Sequence, residues 1–357
     1  MTKSILRLIS AGTLVVLTAL LLLAANYLNP LFFSFYPAFS RWILGILAGI
    51  TSIFPFALWE LCLALLILWF FVSLVRAIIK RRMVRWLTGL LLSVCTLVTL
   101  YIALWGLNYY YAPPMTERLG LPDRQYTPAE LKEATAYYRD RANELAAEVE
   151  RDADGVMVAY DFSDLAAHAG DGYNALAQRY ECFDGSTARV KKLLSSPLMG
   201  KTGTTGVFVC LTGESTVSTT TFQASMPFTM AHEIGHRMAF AREDEANFAA
   251  FLACDASDRA EFRYSGYYLA YIYCYNALSK VDPTAAQEVA AGCSSLLLND
   301  FRASSKHYEA VEDEKAIEIH DSVYEGYLKA FSVDSGMQSY GEVADLLLTW
   351  YFEGVIR

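Results

Sequence analysis

The stretch that decides the reading of this chain is His232-Glu233-Ile234-Gly235-His236-Arg237-Met238-Ala239-Phe240-Ala241-Arg242-Glu243-Asp244-Glu245. Its first five residues form an HExxH pattern. The chain holds only 5 histidines among 357 residues, so composition alone rarely places two of them at this spacing around a glutamate. Pro227 suits the first turn of a helix, and Phe228-Thr229-Met230-Ala231 lead into the motif without a breaker. On a helix, positions i and i+4 lie about 40° apart around the axis and about 6 Å along it. Two imidazoles so placed converge on one Zn²⁺ at about 2.0–2.1 Å, and Glu233, the next residue round, reaches water at that ion. Two helix histidines that bind nothing would leave Glu233 without a purpose.

A catalytic zinc takes a third protein ligand. Glu243, Asp244 and Glu245 follow closely, and Glu243 is preferred, because residues 243, 246 and 247 share a helix face that sets Ala246 and Asn247 beside the ligand. Glu245 lies about 160° away on the same helix. One straight helix from His236 to Glu243 would separate their Cα atoms by about 10.5 Å, too far to share an ion. The chain must therefore turn within Arg237–Arg242, a stretch without Gly or Pro, or else Glu245 or Glu261 supplies the ligand.

Outward from the motif, residues 112–357 make one domain with a core of its own. Thr127-Pro128-Ala129-Glu130 reads as a capped helix start running to about Glu150. Helical patterns cover about 163–180, 187–195, 257–280, 284–305, 313–332 and 340–353. Gly206–Leu211 reads as a strand, and the Thr-rich 214–222 as a second. The expectation is a mainly α, α+β domain with a small sheet. Its strand next to the motif suits pairing with an extended peptide. Tyr264, Tyr268, Tyr271 and Tyr275 share one helix face, and core packing is the plainer reading of them than a substrate wall. His168 stands apart as a structural histidine. His307, His320, Tyr324 and Tyr340 are candidate donors to a developing oxyanion.

The first 111 residues differ in kind. Residues 1–107 carry eight basic side chains against one acid, and the remainder 21 against 37. That acidic part argues against a nucleic-acid partner. Runs at about Ile9–Leu28, Phe54–Ile79 and Trp86–Leu107 are each long enough to cross a bilayer, which takes about 20 residues. Lys80-Arg81-Arg82-Met83-Val84-Arg85 lies between the last two, and Lys3 and Arg7 precede the first. The positive-inside rule then puts these charges in the cytoplasm and the C-terminal domain outside it. A cleaved signal peptide in place of the first span leaves that topology unchanged. Leu31–Ile50, broken by Pro37, Ser40 and Arg41, reads as interfacial or re-entrant. Glu60 reads as an interfacial carboxylate, and Trp105 with Asn108–Tyr111 as an aromatic belt at the exit. The seven cysteines contain no CxxC pair and read as buried thiols.

His232–Phe251, HEIGHRMAFAREDEANFAAF, resembles the bacterial family catalogued as domain of unknown function 3810. Trp105-Gly106-Leu107-Asn108-Tyr109-Tyr110, Thr212-Gly213-Glu214, Tyr327-Leu328-Lys329 and Ser339-Tyr340-Gly341 are similar to it as well. The resemblance implies three transmembrane helices followed by a zincin-like domain, and its E-x-x-A-N run supports Glu243 as third ligand. One departure is Ala239, where members of the family often carry Gly. The expected function is that of a multi-pass, membrane-anchored zinc metallopeptidase, with peptide substrates outside the cytoplasm and Glu233 as general base. A non-catalytic zinc-binding or regulatory peptide-binding protein is the alternative. An intramembrane protease is disfavoured by the charges around the motif.

Overall fold

A computed structural model describes residues 2–110, 113–122, 125–330 and 340–355. Tyr111, Ala112 and Ser339 lie outside these, as do the side chains of 327–330 and 340–342, Tyr340 among them. The N-terminal part comprises α1 (Thr2–Tyr27), a short α2 (Asn29–Phe33), α3 (Tyr36–Thr51), α4 (Leu58–Ile79) and α5 (Met83–Leu104). A 3₁₀ turn over Gly106–Tyr110 follows. Among the described residues, four segments are long and apolar enough to cross a membrane: Lys3–Tyr27, Leu31–Thr51, Leu58–Ile79 and Met83–Leu104. The sequence pointed to three. The additional one, Leu31–Thr51, reads as broken because Pro37 interrupts its apolar run, yet proline is tolerated in the first helical turn and opens α3 there.

α1 and α5 pack side by side in the same direction. Arg7 donates to the Arg85 carbonyl at one end, Thr18 meets Thr99 midway, and Ala25 clusters with Ile102 and Leu107 at the other. The start of α3 packs on the close of α5, and its end on the C-terminal domain. Near its start, Tyr36 and Ser40 hydroxyls donate to the carbonyls of Ala103 and Leu104, at the close of α5. At its end, Thr51 donates to the Thr212 carbonyl and accepts from Lys191.

The C-terminal part contains α6 (Met115–Arg118), α7 (Pro128–Ala146), α8 (Phe162–His168), α9 (Asp171–Ala177) and α10 (Ser196–Lys201). Then come α11 (Met226–Arg237), α12 (Glu243–Asp255), α13 (Ala260–Val281), α14 (Pro283–Ala290), α15 (Ser295–Val311), α16 (Glu314–Ala330) and α17 (Tyr340–Thr349). Strands β1 (Lys191–Lys192), β2 (Gly206–Val209) and β3 (Glu214–Val217) form one sheet in the order β1-β3-β2. β2 runs antiparallel to β3 and is an edge strand. The chain is thus mainly helical with a small three-stranded sheet. α11, α12 and α13 supply a large share of the core, through fully buried Ile234, Phe248, Phe251 and Tyr268 among others.

Several expected elements differ. The α7 helix has its capping box at Thr127 and Glu130 but ends at Ala146. Residues 187–195 are not a helix: β1 pairs with β3, and this turns Lys191 inward onto Glu214. The 163–180 pattern is split at Ala169-Gly170. There a Cβ on Gly170 would strike Thr187, and one on Gly172 would strike the Ala253 carbonyl.

The joint between the two parts is a pair of reciprocal caps. Glu214, at the start of β3, accepts from the backbone N–H groups of Leu58 and Trp59 at 2.8 Å each, capping the start of α4. Glu60, in the first turn of α4, accepts from the N–H groups of Leu194 and Ser195 and from the Ser195 hydroxyl, just ahead of α10. Free helix N–H groups carry partial positive charge, so each carboxylate meets a natural partner. Lys191 pairs with Glu214 at 2.7 Å, both buried. Gly213 adopts φ +67°, and a Cβ there would collide with Ala48 and Leu44 of α3. Thr212-Gly213-Glu214 is therefore the hinge plate on which α3 and α4 rest. The Trp105–Tyr109 stretch corrects the aromatic-belt expectation, since Trp105 and Tyr109 are buried against Cys210 and Ala241 of the domain, and Leu107 and Asn108 are buried against the N-terminal helices.

Candidate metal centre and cleft

α11 begins at Met226 with Pro227 in its first turn and carries the HExxH residues on its inner half. It stops at Met238, and the stop answers the geometric objection raised by the sequence. Ala239 takes φ +71°, in the left-handed region. Its N–H bonds to the His236 carbonyl, and the Phe240 N–H bonds back to the Gly235 carbonyl. These two bonds make a Schellman ending, usually built on glycine, and here it is built on alanine. The chain reverses, and α12 starts at Glu243.

The reversal brings together the ligand atoms of His232, His236 and Glu243, all within 4.8 Å of one another. Among the described residues this is the group of three metal-capable side chains so gathered. His232 Nε2 stands 3.3 Å from Glu243 Oε2, and His236 Nε2 stands 3.6 Å from Glu243 Oε1. Two ligand atoms each 2.0–2.1 Å from a tetrahedral ion stand about 3.3 Å apart, so the donor set and its spacing suit zinc. His236 Nδ1 bonds to the Phe240 carbonyl at 2.8 Å, which turns Nε2 toward the cluster. The His236 ring is also wedged between Trp105, edge-on at 5.9 Å, and Phe208, stacked at 6.4 Å. Trp105 Nε1–H donates to the His236 carbonyl. His232 Nδ1 and Glu233 Oε2 are buried and find no hydrogen-bond partner among the described residues.

The alternatives to Glu243 are engaged elsewhere: Glu245 pairs with Arg118, and Glu261 with Arg259. Asn247 lines the same cleft as the cluster. Burial pushes the Glu233 carboxyl up to about 8, with the nearby Glu243 charge adding to it. Burial lowers His236 to about 4. Burial also disfavours the charged form of His232, yet the Glu243 carboxylate outweighs it and raises this ring above its ordinary value. Glu243 itself is held down at about 2, because the two histidines and the Tyr324 hydroxyl overcome the burial penalty. Arg237, buried beside His236, is lowered to about 10 by burial and donates to the carbonyls of Ser186, Ala188 and Gly213. It thus bolts the motif helix to the α3-bearing turn.

The cluster opens into a cleft of about 880 Å³. One side is β2, where Gly206 passes so close that a Cβ would run into the Glu233 carboxylate. The Ser215 hydroxyl donates to the Glu233 carbonyl and fixes the helix against the sheet. Of the candidate oxyanion donors, His320 and Tyr324 line the cleft, stacked on each other, and Tyr324 donates to Glu243. His307 instead bonds the Thr220 carbonyl. Of Tyr264, Tyr268, Tyr271 and Tyr275, Tyr268 reaches the cleft wall, while Tyr264 bonds Asp300 in the core and Tyr271 packs on Phe301; Tyr273 of the same helix also lines the cleft. His168 meets the Asp164 carbonyl and Arg259 away from the site.

The strand carrying Gly206 and Phe208 is the one the sequence offers for peptide pairing, but nothing in it marks their contacts with Glu233 and His236, and Trp105 is marked only by the resemblance of the Trp105–Tyr110 run to a family motif. Neither the curated proteins nor the solved structures contain a match to the chain. A family model does match, over residues 35–348, so the chain belongs to the family described as protein of unknown function (DUF3810).

Proposed function

We propose that this chain is a membrane-anchored zinc metallopeptidase. The observation that carries the reading is the gathering of His232, His236 and Glu243 around one point, with a second carboxylate, Glu233, beside it, its buried Oε2 without a hydrogen-bond partner among the described residues, in a substrate-sized cleft. The two imidazole nitrogens and the Glu243 carboxylate would hold the ion. When bound, zinc supplies Lewis acidity toward a carbonyl and acidifies water. Glu233, held against Gly206 and raised toward neutrality by its burial, takes a proton from water and passes it to the departing amine. The free edge of β2 pairs with the peptide backbone and lays it across the cluster. His320, which lines the cleft, is the candidate donor to the carbonyl oxygen, and Tyr324, which donates to Glu243, orients that carboxylate.

The motif lies outside all four apolar candidate spans, which supports a water-facing site. For topology we propose that α1, α4 and α5 cross and that α3 lies along the outer surface. Its outward face is an apolar stripe of Phe35, Phe39, Trp42, Ile46 and Ile50, while the opposite face carries Leu44 and Ala48 onto the domain. A helix of this kind suits the interface between headgroups and acyl chains.

The test uses the full chain in detergent. Wild type and Glu233→Gln are assayed for bound metal and for cleavage of a degenerate peptide library with zinc present. Stoichiometric zinc in both, and cleavage in wild type alone, is expected. Zinc without cleavage in either would leave a peptide-binding role, and no zinc in either would remove the metal centre.

A further inference from the structure

We infer that the substrate is the juxtamembrane segment of a protein or peptide anchored in the same bilayer; this rests on the peptidase reading above. The catalytic cluster is built on the outer end of a membrane helix. α5 runs 22 residues from the basic Lys80–Arg85 cluster to Leu104. At 1.5 Å per residue it is about 33 Å long, which matches the hydrocarbon thickness of about 30 Å. Trp105, the residue that ends α5, therefore marks the outer boundary. The ring of His236 lies 5.9 Å from the Trp105 ring. Tyr101, one turn back inside α5, and Tyr109 join Trp105 in the wall of the same cleft.

Two other elements set the domain flush on the membrane. Leu194, whose N–H is bonded by Glu60 at the outer end of α4, is 62% exposed, and Leu198 one turn on is 66% exposed. Large apolar side chains held open at the level of a helix entrance meet acyl chains rather than water. The stripe on α3 gives a second apolar strip on the same underside. An extended chain rises about 3.3–3.6 Å per residue, so a peptide leaving the bilayer beside α5 reaches Glu233 within about five residues. A soluble peptide gains nothing from this placement. An anchored one is delivered at high local concentration with the scissile bond at the right height.

The experiment uses full-length protein in phosphatidylcholine vesicles, normalised to the protein with its domain facing out. One peptide cut efficiently in the library screen is presented in three forms. The first is soluble. The second is attached to an acyl anchor through a five-residue flexible linker. The third carries the same anchor and a 20-residue proline-rich spacer, which holds the bond about 60 Å from the bilayer. Both anchored forms concentrate on the vesicle, so the comparison between them isolates height from partitioning. The short-linked form is expected to show at least tenfold higher kcat/KM than either of the others. Equal rates for the short-linked and stiffly spaced forms, or for the short-linked and soluble forms, would overturn the inference while leaving the peptidase reading intact. No zinc-dependent cleavage of any form, with Glu233→Gln indistinguishable from wild type, would overturn both.

Discussion

Ala239 carries a left-handed backbone with a Cβ, at the point where α11 must end for Glu243 to reach the histidines. The left-handed region costs an L-residue about 1–2 kcal/mol, and glycine removes that cost while giving back part of it as unfolded-chain entropy. Ala239→Gly is expected to stabilise the protein by about 0.5–1 kcal/mol without lowering zinc content; a fall in Tm would show that Ala239 packing outweighs the strain. This residue also shows where sequence reading stops. His232, Glu233 and His236 were legible because one helical turn relates them. Glu243 was legible only as a preference, since no breaker announced the reversal in Arg237–Arg242. Trp105 was illegible as a site residue, because its contact with His236 spans 131 positions and appears only after folding. The raised pKa of His232 yields a second prediction. In the metal-free protein the charged ring pairs with Glu243, a stabilisation present below about pH 6.5 and lost as pH rises through the raised folded value. Zinc requires the neutral ring, so the gain in Tm on adding zinc should grow from about pH 6 to about pH 8. A gain that shrinks over this range would contradict the assignment of His232 as a ligand.

Among the elements, β3 and α4 share the most consequential contact. Glu214 is buried, pairs with buried Lys191 and caps α4. Removing one member of a buried pair leaves the other charge uncompensated, at about 3–5 kcal/mol. Glu214→Ala is expected to lower stability by that amount. Glu60→Ala, which removes a cap from a partly exposed site, should cost about 1–2 kcal/mol. Thermal unfolding in one detergent compares the two; a Glu60 effect as large as that of Glu214 would show that the caps are not graded by burial. The small sheet was visible in the β-branched and aromatic run of 206–211, whereas 187–195 reads as helix although it holds β1, because two residues pairing with a distant strand leave no periodicity of their own.

On the scale of the whole molecule, membrane and domain parts do not separate cleanly. A chain beginning after Tyr110 lacks Trp105 against His236 and the caps at α4, and it bares the face on which α3 sits. Such a truncation is expected to associate on gel filtration and to lose zinc; a monomeric fragment with stoichiometric zinc would refute this. The path of α3 is testable too. Ser34→Cys and Ile53→Cys should both react with an impermeant maleimide from the domain side, and Arg82→Cys from the opposite side. Opposite sidedness for residues 34 and 53 would mean that α3 crosses.

The bond from Thr51 to the Thr212 carbonyl joins positions 161 apart. At synthesis rates of about 5–20 residues per second, α3 emerges about 10–30 s before its resting place exists. During that interval its domain-facing side is uncovered. In the proposed topology the lipid surface shelters that side meanwhile, so assembly at the ribosome would pass through a stage in which this helix is parked on the bilayer and later captured by the domain it will brace.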